Sequence, residues 1–203
     1  MQKENKTQTL VLISFFIALN IILSQITINI GLVPINLTHI SIFLAAGILG
    51  AKHAGIVQMI YLLLGALNFP VFSNFQGGIL RFVGPSGGFL FGYVFCALVS
   101  GYLIDLEKKK VQKVKTGKDQ LAWTSFKTVC AMIFGMMVTY LCGLCWYVFS
   151  YTHDWLLGLT TVVLPFLPGD LIKIGISCAV LSRVNAWRKY GMDSLHSRGV
   201  SDH

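Results

Sequence analysis

Asp170 and Lys173 stand three residues apart in Leu164-Pro165-Phe166-Leu167-Pro168-Gly169-Asp170-Leu171-Ile172-Lys173, among the most apolar stretches of the C-terminal third. An ionisable group within hydrocarbon costs about 2.5–3.5 kcal/mol on insertion scales, so such residues mark sites where charge is paired or used. A spacing of three puts both side chains on one face of a helix, and the two prolines mark where that helix begins. Asp170 is then an acceptor near a helix N-terminus, where the macrodipole favours negative charge. Another charge, Arg81, lies in a segment full of helix breakers. Asn74 in that segment offers both donors and an acceptor. Ser86 sits beside Gly84, Gly87 and Gly88, whose backbone N–H groups a ligand can approach closely. Phe69, Phe72, Phe75, Phe82, Phe89 and Tyr93 supply apolar walls. This chemistry is recognition: an apolar pocket with a few converging polar groups suits a small ligand with one acid group and one polar head. The plainer readings are that Asp170 and Lys173 pair only with each other, that Arg81 snorkels to lipid headgroups, and that Asn68 and Asn74 are ordinary loop residues.

The elements that position these residues are membrane spans. The 203-residue chain is 55% hydrophobic and 12% charged, where a soluble domain carries about 25% charged residues. Stretches of ~20 apolar residues are long enough to cross a bilayer. The pattern predicts a single all-α membrane domain with six transmembrane helices at about 10–30, 37–50, 54–67, 85–104, 126–151 and 168–188. An irregular, glycine-rich outer loop is expected between the third and fourth. Residues 105–124 read as a basic cytoplasmic loop and 189–203 as a flexible cytoplasmic tail. With six spans, 14 of the 16 basic residues fall on the side of the termini, so both termini are expected in the cytoplasm of a multi-pass cell-membrane protein. Arg81 and Lys173 are the two that topology does not explain. The net charge of +8 follows from this topology and does not call for nucleic acid; the lysines at 108–118 suit anionic lipid. The five cysteines lie in apolar surroundings and imply no disulfide framework. His39, His53 and His153 lack metal-ligand spacing, and no catalytic set is expected. Cys142-Gly143-Leu144-Cys145 has the spacing of a redox pair, but it lies mid-span with no second pair in an outer loop. A membrane thiol oxidoreductase is thus the distant alternative.

The run Gly65-Ala66-Leu67-Asn68-Phe69-Pro70-Val71-Phe72-Ser73-Asn74-Phe75-Gln76-Gly77-Gly78, followed by Val83-Gly84-Pro85-Ser86-Gly87-Gly88-Phe89-Leu90-Phe91-Gly92, resembles the BioY-type biotin transporters. These are the substrate-binding S components of energy-coupling-factor (ECF) transporters. Val33-Pro34-Ile35 and Pro168-Gly169-Asp170-Leu171-Ile172-Lys173 resemble the same family, and the likeness covers roughly residues 10–185. The family usually has threonine where Ser86 stands and often tyrosine where Phe89 stands. The resemblance implies a six-helix protein that captures biotin on the outer side, with an S component for another vitamin as the alternative. Asp170 and Asn74 would meet the ureido ring, the phenylalanines and Tyr93 the apolar parts, and Lys173 or Arg81 the carboxylate. It further implies an ECF module, a transmembrane coupling subunit with two ATPases, as partner. The chain has no phosphate-loop motif and no cofactor of its own is expected, ATP being hydrolysed by those subunits. Ala18, Asn20 and Ser24 on the first span are the candidates for docking that module.

Overall fold

The computed structural model describes residues 6–29, 33–113 and 119–199. Helix α1 (Lys6–Gln25) leads into a two-stranded antiparallel ribbon, β1 (Thr27–Ile28) against β2 (Ile35–Asn36). Then come α2 (Thr38–Ala66), a 3-10 turn at Ser73–Phe75, α3 (Leu80–Val83), α4 (Gly87–Lys113) and α5 (Asp119–Tyr147). A π-helical turn, Val148–Thr152, precedes α6 (Trp155–Val162) and α7 (Leu167–Gly199). Among the described residues, five helical stretches are long and apolar enough to cross a membrane: Lys6–Gln25, Thr38–Ala66, Gly87–Lys109, Phe126–Thr152 and Trp155–Val184. The distribution of side chains is the reverse of a water-soluble protein. Leu10, Phe15, Met59, Leu63, Phe95, Phe134, Leu171 and Ile172 face outward, while Asn20, Gln58, Ser100, Thr139, Asp170 and Lys173 are buried. An outer surface this apolar matches lipid, and the polar groups pair within the bundle. The protein is an all-α, multi-pass membrane protein.

The expected second and third spans form one element, α2, broken at Gly50 (φ 79°, ψ 174°). That backbone conformation is essentially restricted to glycine. His39 and Tyr61, 22 positions apart, would lie about 33 Å from each other on a straight helix, yet they line one cavity. Segments 38–49 and 51–66 therefore fold back on one another about Gly50. The backbone groups freed at the break are satisfied from α4: the Ala51 N–H donates to Asp105 Oδ2 at 3.0 Å, and Lys108 Nζ donates to the Gly47 carbonyl. A Cβ at position 50 would stand 2.7 Å from that carboxylate oxygen.

Helices α4 and α5 pack closely, because Gly88 lets them approach. A Cβ there would lie 2.3 Å from Trp146 Cβ and 2.5 Å from the Cys142 carbonyl oxygen, the small-residue packing that membrane helices favour. Several boundaries differ from expectation. Residues 105–113 belong to α4 and 119–124 to α5, so most of the expected basic loop is helix. Lysine and glutamate are good helix formers, and polarity alone does not end a helix. Residues 114–118 lie outside the described residues, as do 30–32, where the first span was expected to end. Of residues 189–203, read as a flexible tail, 189–199 continue α7, there being no proline to stop them, and 200–203 lie outside the described residues. Trp155–Val162 is a helix of its own, its first turn capped by Asp154, whose Oδ1 accepts from the Leu156 and Leu157 N–H groups at 2.8 and 3.3 Å. Of the three docking candidates, Asn20 and Ser24 are fully buried and only Ala18 is exposed. Lipid is the apolar partner outside, so Asn20 and Ser24 turn inward.

Replacing Gly50 with alanine adds about 1–3 kcal/mol of backbone strain and a clash with Asp105. The expected outcome is a thermal midpoint lowered by several degrees in detergent, read by intrinsic fluorescence. An unchanged midpoint would mean that the fold-back tolerates an ordinary residue.

Candidate functional site

The start of α7 carries the charged pair. A 3-10 turn, Leu164–Phe166, runs into the helix, and Pro168 stands where its missing N–H costs nothing. Asp170 therefore lies in the first turn, and Lys173 follows on the same face. Lys173 Nζ donates to Asp170 Oδ1 at 2.6 Å, and Tyr140 Oη, from α5, donates to Asp170 Oδ2. The two charged residues are only 3% and 4% exposed. Desolvating two charges is costly and is offset only when geometry and further hydrogen bonds satisfy both. Tyr140 supplies part of that satisfaction.

The pair does not face lipid. It lines a cavity together with Val33, Asn36, His39, Tyr61, Phe72, Ser73, Gln76, Arg81, Ser86, Phe89, Tyr93, Tyr140 and Phe166, among others. The walls are aromatic. Phe89 stacks against Phe166 at 6.2 Å, and His39 meets Tyr93 edge-on at 5.1 Å. Phe72 lies edge-on to both Tyr61 and Phe82. Arg81, on α3, is half-buried and makes no ion pair among the described residues.

One wall is the irregular segment between α2 and α4, and it is held by hydrogen bonds from the N-terminal elements. Ser24 Oγ and Tyr61 Oη both bond to the Val71 carbonyl, at 2.6 and 3.1 Å. Gln25 Nε2 donates to the Phe72 carbonyl at 3.2 Å, and Gln25 Oε1 accepts from the Phe75 N–H at 2.8 Å. Asn36 Nδ2 donates to Ser73 Oγ at 2.8 Å. Irregular backbone at membrane depth is tolerated where protein satisfies it or where it lines a cavity, and both conditions hold here.

Seven of the expected residues converge on this cavity: Asp170, Lys173, Arg81, Ser86, Phe72, Phe89 and Tyr93. Asn74 does not. It takes a left-handed conformation (φ 60°) in the 3-10 turn, and its side chain exchanges hydrogen bonds with Asn29 at 3.1 and 3.4 Å. Its backbone sets it in the turn and its amide ties that turn to the ribbon. Gly87 is also outside the lining: its N–H donates to the Gly84 carbonyl, and the Phe82 carbonyl crowds its missing Cβ. Glycine there serves packing. Tyr140, His39, Asn36, Ser73 and Gln76 escaped the sequence reading. The Val33-Pro34-Ile35 motif pointed to their neighbourhood, but a lone tyrosine mid-span has no local mark. Cys142 and Cys145 lie on α5 outside the lining and form no disulfide.

Both the sequence and the fold of the chain are similar to those of known proteins. It is 33% identical over 170 residues to the biotin transporter BioY of Thermotoga maritima, covering 83% of this chain and 90% of that one. It is 34% identical over 183 residues to the biotin transporter BioY of Rhizobium etli, covering 87% and 92% respectively. Its fold superposes with a TM-score of 0.75 on a crystal structure of the S-component for biotin from an ECF-type ABC transporter, with 28% identity over 92% of this chain and 95% of the other. The BioY family model matches residues 1–190. The chain belongs to the BioY family.

Proposed function

We propose that this chain captures biotin and carries it across the membrane as the S component of an ECF-type importer. The supporting observation is one constellation. A buried carboxylate, bound by Lys173 and Tyr140, faces an aromatic cavity that an arginine with no ion pair among the described residues also reaches. Biotin is complementary to it. Its ureido ring offers two N–H donors, for which Asp170 has lone pairs left. Its thiophane ring and valeryl chain suit Phe72, Phe89, Tyr93 and Phe166. Its carboxylate needs a cation, and Arg81 meets that need, since Lys173 already neutralises Asp170. Buried polar groups of this kind reject analogues that leave them unpaired.

In this reading the protein is a transporter subunit and no enzyme. It needs no cofactor, and ATP is hydrolysed by two ATPase subunits joined to it through a transmembrane coupling subunit. Both termini face the cytoplasm, with segments 38–49 and 51–66 of α2 counted as separate passages to give six. The lysines of α4 then meet anionic lipid at the inner surface, and Arg81 and the start of α7 lie towards the outside. Of the docking candidates on α1, Ala18 alone remains available to a partner helix.

Calorimetry on purified protein tests the carboxylate. Asp170→Asn should weaken biotin binding at least about tenfold, since hydrogen bonds to charged groups contribute roughly 1.5–3 kcal/mol; wild-type affinity in that variant would remove Asp170 from the site. Tyr140→Phe should cost less, about two- to tenfold, by loosening the carboxylate without removing it. The cations separate by a ratio. Biotin and biotin amide should bind about equally to Arg81→Ala, while Lys173→Ala keeps the wild-type preference for the acid. The opposite pattern would give the acid to Lys173.

A further inference from the structure

His39 carries a polar atom that the fold leaves without a partner. The residue opens the helical segment 38–49 and lines the cavity. Its side chain is 6% exposed, and Nε2 is fully buried with no hydrogen-bond partner among the described residues. Leaving such a group unpaired is costly, and most buried polar side chains find a partner. Its surroundings narrow the partner's chemistry. Phe43 and Tyr93 pack against the imidazole at 6.0 and 5.1 Å and hold the ring in place. Asp170 and Lys173 line the same cavity as His39. The unpaired atom thus belongs to a residue that shares its cavity with the charged pair.

We propose that His39 is a specificity-determining residue that donates a hydrogen bond from Nε2–H to the carbonyl oxygen of the ligand's cyclic urea. The inference rests on the reading of the site as a biotin pocket and adds to it a donor for the one urea atom still needing one. A cyclic urea has two N–H donors and a carbonyl oxygen with two lone pairs. Asp170 is the acceptor for the donors. Lys173 has spare N–H groups for one carbonyl lone pair, and His39 serves the other. A neutral imidazole carries its proton on either ring nitrogen; a carbonyl partner selects the Nε2–H form. The competing account is a packed histidine whose ring merely fills space against Tyr93. It predicts that any ring of similar shape serves as well.

The experiment separates these. His39→Phe keeps an aromatic ring and removes both nitrogens. His39→Gln places an amide N–H near the position of Nε2. Binding of biotin, and of the analogue in which sulfur replaces the ureido oxygen, is measured by calorimetry on purified wild type and both variants. Sulfur is a poor acceptor, so it weakens the contact without adding charge. The expected result is a loss of about tenfold or more for biotin in His39→Phe, the size of one buried hydrogen bond. Most of the affinity should return in His39→Gln. The thiourea analogue should distinguish wild type from His39→Phe by no more than about twofold. If His39→Phe binds biotin like wild type, or weakens both ligands equally, the proposal is overturned while the biotin reading stands. If wild-type protein binds no biotin, that reading falls and takes this one with it. Should His39→Phe fail to fold, His39→Met against His39→Gln makes the same comparison, and equal affinities there overturn the proposal.

Discussion

The site depends on a carboxylate and an ammonium buried together inside the helical bundle. Neither Asp170 nor Lys173 is tolerable there alone, because an isolated buried ion would lose its hydration with nothing in return. Placed three residues apart on α7 they neutralise each other at 2.6 Å, and Tyr140 reaches across from α5 to bind the other carboxylate oxygen. A buried pair is weak evidence for stability, since an apolar substitute of similar volume often serves as well. The pair lines the cavity wall, and a carboxylate and an ammonium there have more lone pairs and N–H groups than their mutual bond uses.

The rest of the fold brings other groups to that pair. Gly50 turns α2 back on itself, so His39 at one end and Tyr61 near the other meet at the same cavity. Asp105 and Lys108 satisfy the backbone that the turn exposes. Gly88 lets α4 and α5 approach closely, which sets Phe89 and Tyr93 on one side of the cavity and Tyr140 on another. Ser24, Gln25, Asn36 and Tyr61 tie down residues 71–75. The irregular segment is therefore part of the same polar network as the ribbon and α1. Elsewhere on α1, Asn20 also serves the interior and donates to Gln58 at 2.9 Å in full burial. An interior rich in hydrogen bonds under a surface of leucine, isoleucine and phenylalanine is what a lipid solvent selects.

Much of the site was legible beforehand because charge in an apolar run stands out by itself. Asp170, Lys173 and Arg81 were visible as residues that topology did not account for, and all three line the cavity. The aromatic walls at Phe72, Phe89 and Tyr93 were legible through their density beside the breakers. Asn74 and Gly87 lie outside the cavity lining, for different reasons. Asn74 looked like a ligand group because of its side chain, but its left-handed backbone commits it to a turn. Gly87 looked like a donor because glycine exposes its N–H, but Gly84 takes that N–H. The basic tract at 105–124 was read as a loop from polarity alone, and its ends are helix.

Composition and order along the chain determined the class of molecule: an all-α membrane protein whose helices break at glycine and proline, with two cations out of place. These are local properties. They follow from the transfer energy of each segment into lipid and from the backbone limits of single residues. Only the tertiary structure decided which groups meet. Tyr140 reaches Asp170 across 30 positions and Asn20 reaches Gln58 across 38, while His39 comes to α7 from the far end of the sequence. No periodicity records such meetings. They arise from the fold-back at Gly50 and the close packing of α4 on α5, which are contacts between faces and not patterns along the chain.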